Sequence, residues 1–285
     1  MPATALAFLL SSCNRGILDP VGPVGAAEKQ ILINSTAIML AIVIPTMIAT
    51  VAIAFWFRRG NKKATYRPDW EYSGAIEMVV WAIPALTIML LGGITWIGSH
   101  DLEPSKPLVS QKPPVNVEVV SLDWKWLFIY PDQGIATVNQ LVVPQGTPVN
   151  YRLTSATVWN VFFVPQFGTM IYTMPRMTTR LNLQADRPGA YDGLSAHFSG
   201  DGFPGMRFKA EVLPPDQFAM WAQGARGQGA ALDGKTYAEL SKPSSYVKPM
   251  TFGAVAPGLF DAIVANKAPP PQQLPHNPQA ESPAG

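Results

Sequence analysis

The residues with the clearest potential for chemistry lie in one Gly-rich stretch, SAHFSGDGFPGM, which spans residues 195–206. It carries two Ser, one His and a final Met, late in a part of the chain that reads as β-strands. Imidazole and thioether groups bind copper in proteins, usually together with Cys thiolates. This stretch has no Cys, and Cys13 is the single Cys of the chain. The sequence therefore excludes a multi-Cys metal site and an intramolecular disulfide.

Cys13 is a second candidate for chemistry, because it follows an apolar run, a Leu and two small residues in MPATALAFLLSSC. This order resembles the end of a bacterial lipoprotein signal. It predicts lipid attachment at Cys13, with 1–12 as a signal remnant and 13–30 as an external segment. Two features depart from such a signal, since no basic residue precedes the run and the run is short. A buried or free Cys near the terminus is the alternative.

The elements around these residues include a membrane portion. The 285 residues are 48% hydrophobic and only 14% charged, which is less charge than an ordinary soluble protein carries. Two apolar runs are long enough to cross about 30 Å of hydrocarbon, and they predict transmembrane helices over 31–57 and 77–99. The net charge of +2 gives no reason to expect a nucleic-acid partner.

The loop between the two helices, residues 58–76, indicates how the chain is oriented. The positive-inside rule places this basic loop in the cytoplasm and both termini outside the membrane. External termini agree with lipidation of Cys13, which takes place on the outer face. The basic residues are Arg58, Arg59, Lys62, Lys63 and Arg67, against Asp69 and Glu71 in the loop and Glu77 at the start of the second predicted helix.

Short strand-like segments dominate from residue 112 to residue 214. Their turn signals recur about every ten residues, which is typical of a β-sandwich. Residues 215–265 contain PDQFAMWAQGA and GKTYAELSK, which predict short helices. The end of the chain, 266–285, is rich in Pro and is predicted to be disordered.

Three segments carry a resemblance to a known family. They are IEMVVWAIPALTIM (76–89), DWKWLFIYPDQGIATVN (123–139) and the stretch from LTSATVWN to MRFKA (153–210). Together they resemble subunit II of the haem-copper respiratory oxidases, and in HDLEPSKPL, LDWKW and YDGLSAHFSGDGF they are nearest the quinol oxidases. The resemblance covers about residues 13–265. It implies a membrane α hairpin of two transmembrane helices, followed by an all-β cupredoxin-like sandwich with short C-terminal helices.

The resemblance also gives a meaning to the loop at 195–206. In the cytochrome c oxidases of this family, the corresponding loop binds a dinuclear copper centre through two Cys, two His, a Met and a backbone carbonyl. The carbonyl position is occupied here by His197, and the Met is retained as Met206. We call the five side-chain positions the ligand-equivalent positions: Asn160, Ser195, Ser199, Phe203 and Met206. Four of the five have lost their ligand, so the resemblance implies a fold without its copper.

A chain of this kind would hold no cofactor itself. The resemblance implies that the haems, the copper and the quinol site lie in subunit I, a different chain. The expected function is a non-catalytic second subunit of a proton-translocating ubiquinol oxidase in the bacterial cytoplasmic (inner) membrane, with a periplasmic sandwich. Its expected partners are subunit I and the other oxidase subunits, the lipid bilayer, and quinol only through subunit I.

Glu77 has two interpretations. The resemblance places it at the mouth of a proton-uptake channel of subunit I, where a carboxylate can collect protons at the membrane boundary. An acidic residue at a helix N-terminus is, however, stabilised by the helix dipole and needs no function. The sequence leaves both open.

Other roles also stay as alternatives. A copper-bearing cytochrome c oxidase subunit is disfavoured, because Ser195 and Ser199 replace the two bridging thiolates. A membrane-anchored external lipoprotein, acting as scaffold or sensor without an oxidase partner, would share the predicted topology. His197 is interpreted as a surface His rather than a remnant ligand, and Trp124 and Trp126 as packing residues between the sandwich and subunit I.

Overall fold

The computed structural model describes residues 16–65 and 67–268. The predicted signal remnant 1–12, the lipidation site Cys13 and the tail from residue 269 lie outside the described residues. The chain forms two compact units. One is residues 27–103, and the other combines the segment before residue 27 with the chain from residue 104 onward.

Two long helices make up most of the first unit, α1 (Pro23–Trp56) and α2 (Gly74–Asp101). The first turn of α1 belongs to the other unit. Both helices are long and apolar enough to cross a membrane. At about 1.5 Å per residue they measure roughly 51 and 42 Å, longer than about 30 Å of hydrocarbon. Both helices start before the predicted bounds of 31–57 and 77–99, and α2 also ends two residues later than predicted. The difference arises because backbone hydrogen bonding continues into the polar flanks of the apolar runs.

The second unit is built around a two-layer β-sandwich. The larger sheet has β12 (Met250–Phe252) at one edge, followed by β3, β2, β1, β5 and β8, and the other sheet has the order β4-β10-β9-β6-β7. The pairs β1–β5 and β4–β10 are parallel, and the remaining pairs of these sheets are antiparallel. The first ten strands are β1 (Val115–Leu122), β2 (Lys125–Tyr130), β3 (Ile135–Val138), β4 (Gln140–Pro144), β5 (Pro148–Ser155), β6 (Asn160–Phe163), β7 (Ile171–Thr173), β8 (Thr179–Gln184), β9 (Gly189–Ser195) and β10 (Arg207–Leu213).

Aromatic side chains fill the space between the two sheets. The rings of Phe162 and Phe208 stack at 5.4 Å, and Trp126 meets Phe208 edge-on at 5.7 Å. Trp126 and Phe162 have no exposed surface. Trp126 was expected to pack against subunit I, but it is a core residue of this chain, since its indole lies wholly inside the sandwich.

Most of the C-terminal extension packs on the outer face of the larger sheet, whereas its first helix packs against the main core beside β4 and β10 of the other sheet. The extension contains α3 (Pro215–Ala225), α4 (Gly234–Leu240) and α5 (Leu259–Val264), as well as β11 (Ala231–Leu232), β12 (Met250–Phe252) and β13 (Ala254–Val255). Tyr237 and Phe260 of the extension are buried against Leu127 and Ile129 of β2. The prediction of short helices missed these strands, because two or three residues are too few to show a periodic pattern.

Residues 266–268, at the start of the Pro-rich tail, are hydrogen-bonded to the last helix. The backbone amides of Lys267 and Ala268 both donate to the carbonyl of Ala262, at 2.8 and 3.1 Å. Residues 266–268 were predicted to be disordered, and they instead close the last helix with a turn. The composition of the tail gave no signal for this hydrogen-bonded end.

The described part of the N-terminal segment also belongs to the sandwich unit. Val21 donates to the carbonyl of Gln166 at 2.8 Å and accepts from the amide of Asp186 at 2.6 Å. A Cβ on Gly22 would come within 1.8 Å of the carbonyl oxygen of Gln184. Residue 22 therefore has to be Gly, because the two backbones touch.

Candidate functional site

Four of the ligand-equivalent positions meet at one end of the sandwich. Asn160 begins β6, Ser195 ends β9, and Met206 immediately precedes β10. These three residues are between 1% and 3% exposed. Ser195 Oγ lies 3.0 Å from Asn160 Oδ1 and 3.3 Å from the carbonyl oxygen of His197, and Ser199 Oγ lies 3.9 Å from Met206 Sδ.

Phe203 lies apart from this polar group. Its half-buried ring packs against Phe198 with 5.6 Å between the ring centroids. His197 contributes its backbone carbonyl to the group, whereas its imidazole is exposed and meets Tyr172 at 5.8 Å. The structure thus brings together the same chain positions that the family resemblance singles out, with Phe203 turned to an apolar contact.

The loop at 195–206 is held by a backbone hydrogen bond between its two ends and by the side chain of Trp124. The amide of Ser195 donates to the carbonyl of Met206 at 3.1 Å, which closes the base. Trp124 Nε1 donates to the carbonyl of Ser199 at 3.0 Å. A Cβ on Gly202 would come within 2.2 Å of the Trp124 ring. The loop is Gly-rich at this point because the indole occupies the space of a side chain.

The donor set of this site does not fit a dinuclear copper centre. Soft copper selects thiolates, and the bridging positions carry the hydroxyls of Ser195 and Ser199. The amide of Asn160 is already engaged, since it accepts from Ser195 and donates to the carbonyl of Val158 at 3.3 Å. Phe203 has no donor atom. The hydrogen bonds satisfy the buried polar groups without any ion.

Exposed aromatic side chains surround the loop. We call them the aromatic rim: Trp159, Tyr172, Phe198 and Tyr246. Phe198 and Tyr246 are 71% and 75% exposed. The rings of Trp159 and Tyr172 meet edge-on, with 6.1 Å between their centroids. A Cβ added to Gly205 would lie 3.0 Å from the ring of Tyr246. Exposed aromatic side chains grouped around one loop are typical of an interaction site.

Tyr246 comes from the C-terminal extension, and a buried Lys fixes that segment beside the loop. Lys125 is 1% exposed, and its Nζ donates to the carbonyl of Lys242 and to Ser244 Oγ, both at 2.7 Å. Burial lowers the pKa of Lys125 to about 8, although the negative charge of Asp123 raises the pKa in part. No sequence pattern indicates Lys125 or Tyr246, because their partners are remote along the chain.

Glu77 lies in the other unit, in the first turn of α2. Its amide donates to the carbonyl of Ser73 at 3.0 Å, and its side chain is exposed. This is the position that both interpretations of Glu77 require. Cys13 lies outside the described residues.

Comparisons with known proteins identify relatives over most of the chain. The family model described as the COX Aromatic Rich Motif matches residues 226–269. The chain is 47% identical over 260 residues to the cytochrome bo(3) ubiquinol oxidase subunit 2 of Pseudomonas aeruginosa, covering 91% of this chain and 78% of that one. It is 45% identical over 262 residues to the ubiquinol oxidase subunit 2 of Acetobacter aceti, covering 91% and 85%.

A solved structure is also similar. The periplasmic domain of subunit II of the cytochrome oxidase of Bradyrhizobium japonicum aligns with a TM-score of 0.39 and 22% identity, covering 41% of this chain and 96% of that one. The sequence relatives match both units of the chain, including the helices and the C-terminal extension. At 47% identity over 91% of its length, the chain belongs to the ubiquinol oxidase subunit 2 family and is a quinol oxidase subunit.

Proposed function

We propose that this chain is a non-catalytic, structural second subunit of a proton-translocating ubiquinol oxidase, which passes electrons from quinol to O2. The carrying observation is the closed hydrogen-bond group of Asn160, Ser195 and His197, at the positions where copper-bearing relatives have ligands. Electron transfer through this chain would need a redox group there. Hydroxyl and amide groups cannot carry electrons. The site therefore keeps the positions of the ligands but has no group that could accept or donate an electron.

The electron donor accounts for the missing relay. A cytochrome c oxidase receives single electrons from a soluble protein outside the membrane and therefore needs an external acceptor. Quinol is soluble in lipid and delivers its electrons within the membrane. We therefore place the haems, the copper and the quinol site in subunit I, and no cofactor in this chain.

The aromatic rim supports docking onto subunit I. Trp159 and Phe198 expose more than half of their side chains, which is unfavourable in water and favourable in a protein interface. Trp124 contacts the same loop from inside the unit, so the rim and Trp124 lie at the same end of the sandwich. The sandwich would cap the outer face of subunit I through this surface.

Co-purification tests the proposed function. The full-length chain, affinity-tagged and extracted from membranes, is expected to carry a large haem-containing membrane chain with it. The double variant Trp159→Ser, Phe198→Ser should lose severalfold of the bound haem, because the two largest apolar contacts of the rim are removed. The measurement is haem absorbance per tagged chain.

A matched control separates docking from general surface effects. The double variant Met220→Ser, Met250→Ser removes two exposed apolar side chains of the C-terminal extension and should retain the haem of the unmodified chain. If the unmodified chain purifies without haem, the alternative of an external scaffold or sensor without an oxidase partner replaces this proposal.

We also propose that the chain is a two-pass protein of the bacterial inner membrane, with a periplasmic sandwich and a lipid on Cys13. The Cys13→Ala variant is expected to stay in the membrane fraction after salt and alkaline washing. Two transmembrane helices anchor far more firmly than acyl chains do. Release of the variant by mild washing would contradict the hairpin assignment. The unmodified chain and a Ser12→Ala variant serve as controls.

A further inference from the structure

We propose that the turn after α1 binds the headgroup of an anionic phospholipid. The turn places four cationic side chains within six residues, directly after the membrane-spanning helix. We call them the basic turn: Arg58, Arg59, Lys62 and Lys63. Clusters of four or more Lys and Arg next to a transmembrane helix attract anionic lipid. This inference goes beyond the proposed function and rests on one part of it, the crossing of the membrane by α1.

The backbone folds the basic turn into a compact shape. Asn61 Nδ2 donates to the carbonyl of Trp56 at 2.6 Å, which caps the end of α1. The amide of Asn61 donates to the carbonyl of Arg58 at 2.9 Å, and the amide of Lys63 donates to Asn61 Oδ1 at 3.1 Å. Asn61 therefore organises the turn, and the four charges are held together rather than spread along an extended loop.

The four charges have no carboxylate partner in the part of the chain that the structure describes. All four side chains are exposed, and none forms an ion pair with the acidic residues of residues 16–65 and 67–268. The two Lys and two Arg therefore concentrate positive charge that is not neutralised within this region. A phosphate group complements this arrangement, because a guanidinium binds two phosphate oxygens at once.

Exposed aromatic residues place the turn near the headgroups. Trp56 and Phe57 immediately precede the cations and are more than half exposed. Trp side chains favour the boundary between hydrocarbon and headgroups. Cations one or two residues further along the chain then reach the phosphate layer, with their aliphatic stems on the apolar side. A lipid headgroup is thus the occupant that charge and position both favour.

Lipid-specific quenching of Trp fluorescence tests the proposal. The purified full-length chain is placed in vesicles of phosphatidylcholine mixed equally with phosphatidylglycerol, with bromine on the acyl chains of one lipid or the other. Brominated phosphatidylglycerol should quench more strongly than brominated phosphatidylcholine. The variant R58Q/R59Q/K62Q/K63Q should lose this excess, since each cation near an anionic surface is worth a factor of about five in binding.

Two further variants make the result specific. R176Q/R180Q/K235Q/K248Q also removes two Arg and two Lys, all exposed residues of the sandwich unit, and should keep the excess. R58K/R59K/K62R/K63R keeps every charge and should keep it as well. Persistence of the excess in the four-Gln variant of the turn, or its equal loss in the control, would overturn the proposal. If the four-Gln variant of the turn keeps the excess quenching in vesicles and also loses partner chains when it is extracted from membranes, the turn binds a protein partner and the proposal is overturned.

Discussion

The combined variant Asn160→His, Ser195→Cys, Ser199→Cys, Phe203→His is expected to bind two copper ions and to turn purple. Met206 and the His197 carbonyl are already in place. Ser195 Oγ lies 3.0 Å from Asn160 Oδ1, and Ser199 Oγ lies 3.9 Å from Met206 Sδ. Thiolates introduced at 195 and 199 would therefore converge with their neighbours. Absorbance of the sulfur-to-copper charge transfer and copper per full-length chain are the measurements.

A partial variant provides the matched control. With Ser195 retained and the other three changes made, only one thiolate remains, so two coppers cannot be bridged. This variant is expected to bind copper more weakly and without the purple spectrum, as is the unmodified chain. If the complete variant melts at the temperature of the unmodified chain yet binds no copper, the loop does not retain the ligand geometry.

The Glu77→Gln variant is expected to consume oxygen severalfold more slowly per haem. This expectation follows from the interpretation in which Glu77, in the first turn of α2, collects protons for subunit I. Gln keeps the size and hydrogen bonding of the side chain but cannot exchange a proton near neutral pH. Collection of protons at the membrane surface would then limit turnover. Oxygen consumption of the purified complex, divided by its haem content, gives the result.

Glu71→Gln is the control for Glu77→Gln. Glu71 is also exposed and lies just before α2, and its substitution removes the same charge. Turnover of this control should equal that of the unmodified complex. If Glu77→Gln also has unmodified turnover, Glu77 acts only on the helix dipole, which is worth about 0.3–1 kcal/mol. The chain would then have a purely structural role.

The C-terminal extension changes how the loop at 195–206 is understood. Lys125 holds the backbone of Lys242, and Asn139 Nδ2 donates to the carbonyl of Val247 at 2.8 Å. These contacts place Tyr246 against the loop from outside, while Trp124 supports it from inside. The loop keeps its conformation through protein contacts on both sides.

Part of this protein was determined by its sequence alone. The two apolar runs predict the hairpin because hydrocarbon tolerates almost no charge over the length of a membrane span. The absence of Cys at 195 and 199 decides the donor chemistry, since ligand type depends on residue identity and not on geometry. Both conclusions rest on local composition, and local composition does not change when the chain folds.

Only the tertiary structure decided how the site is completed. Asn160 and Ser195 are 35 residues apart, and Lys125 and Lys242 are 117 apart, so their contacts depend on the order of strands and not on any local pattern. The three-residue strand β12 is an edge of the larger sheet only because it pairs with the backbone of β3. Residues 16–26 join the sandwich unit through close backbone contact at Gly22. Such contacts leave no periodic signal in the sequence, because the chain is brought together by burial and hydrogen bonding between remote segments.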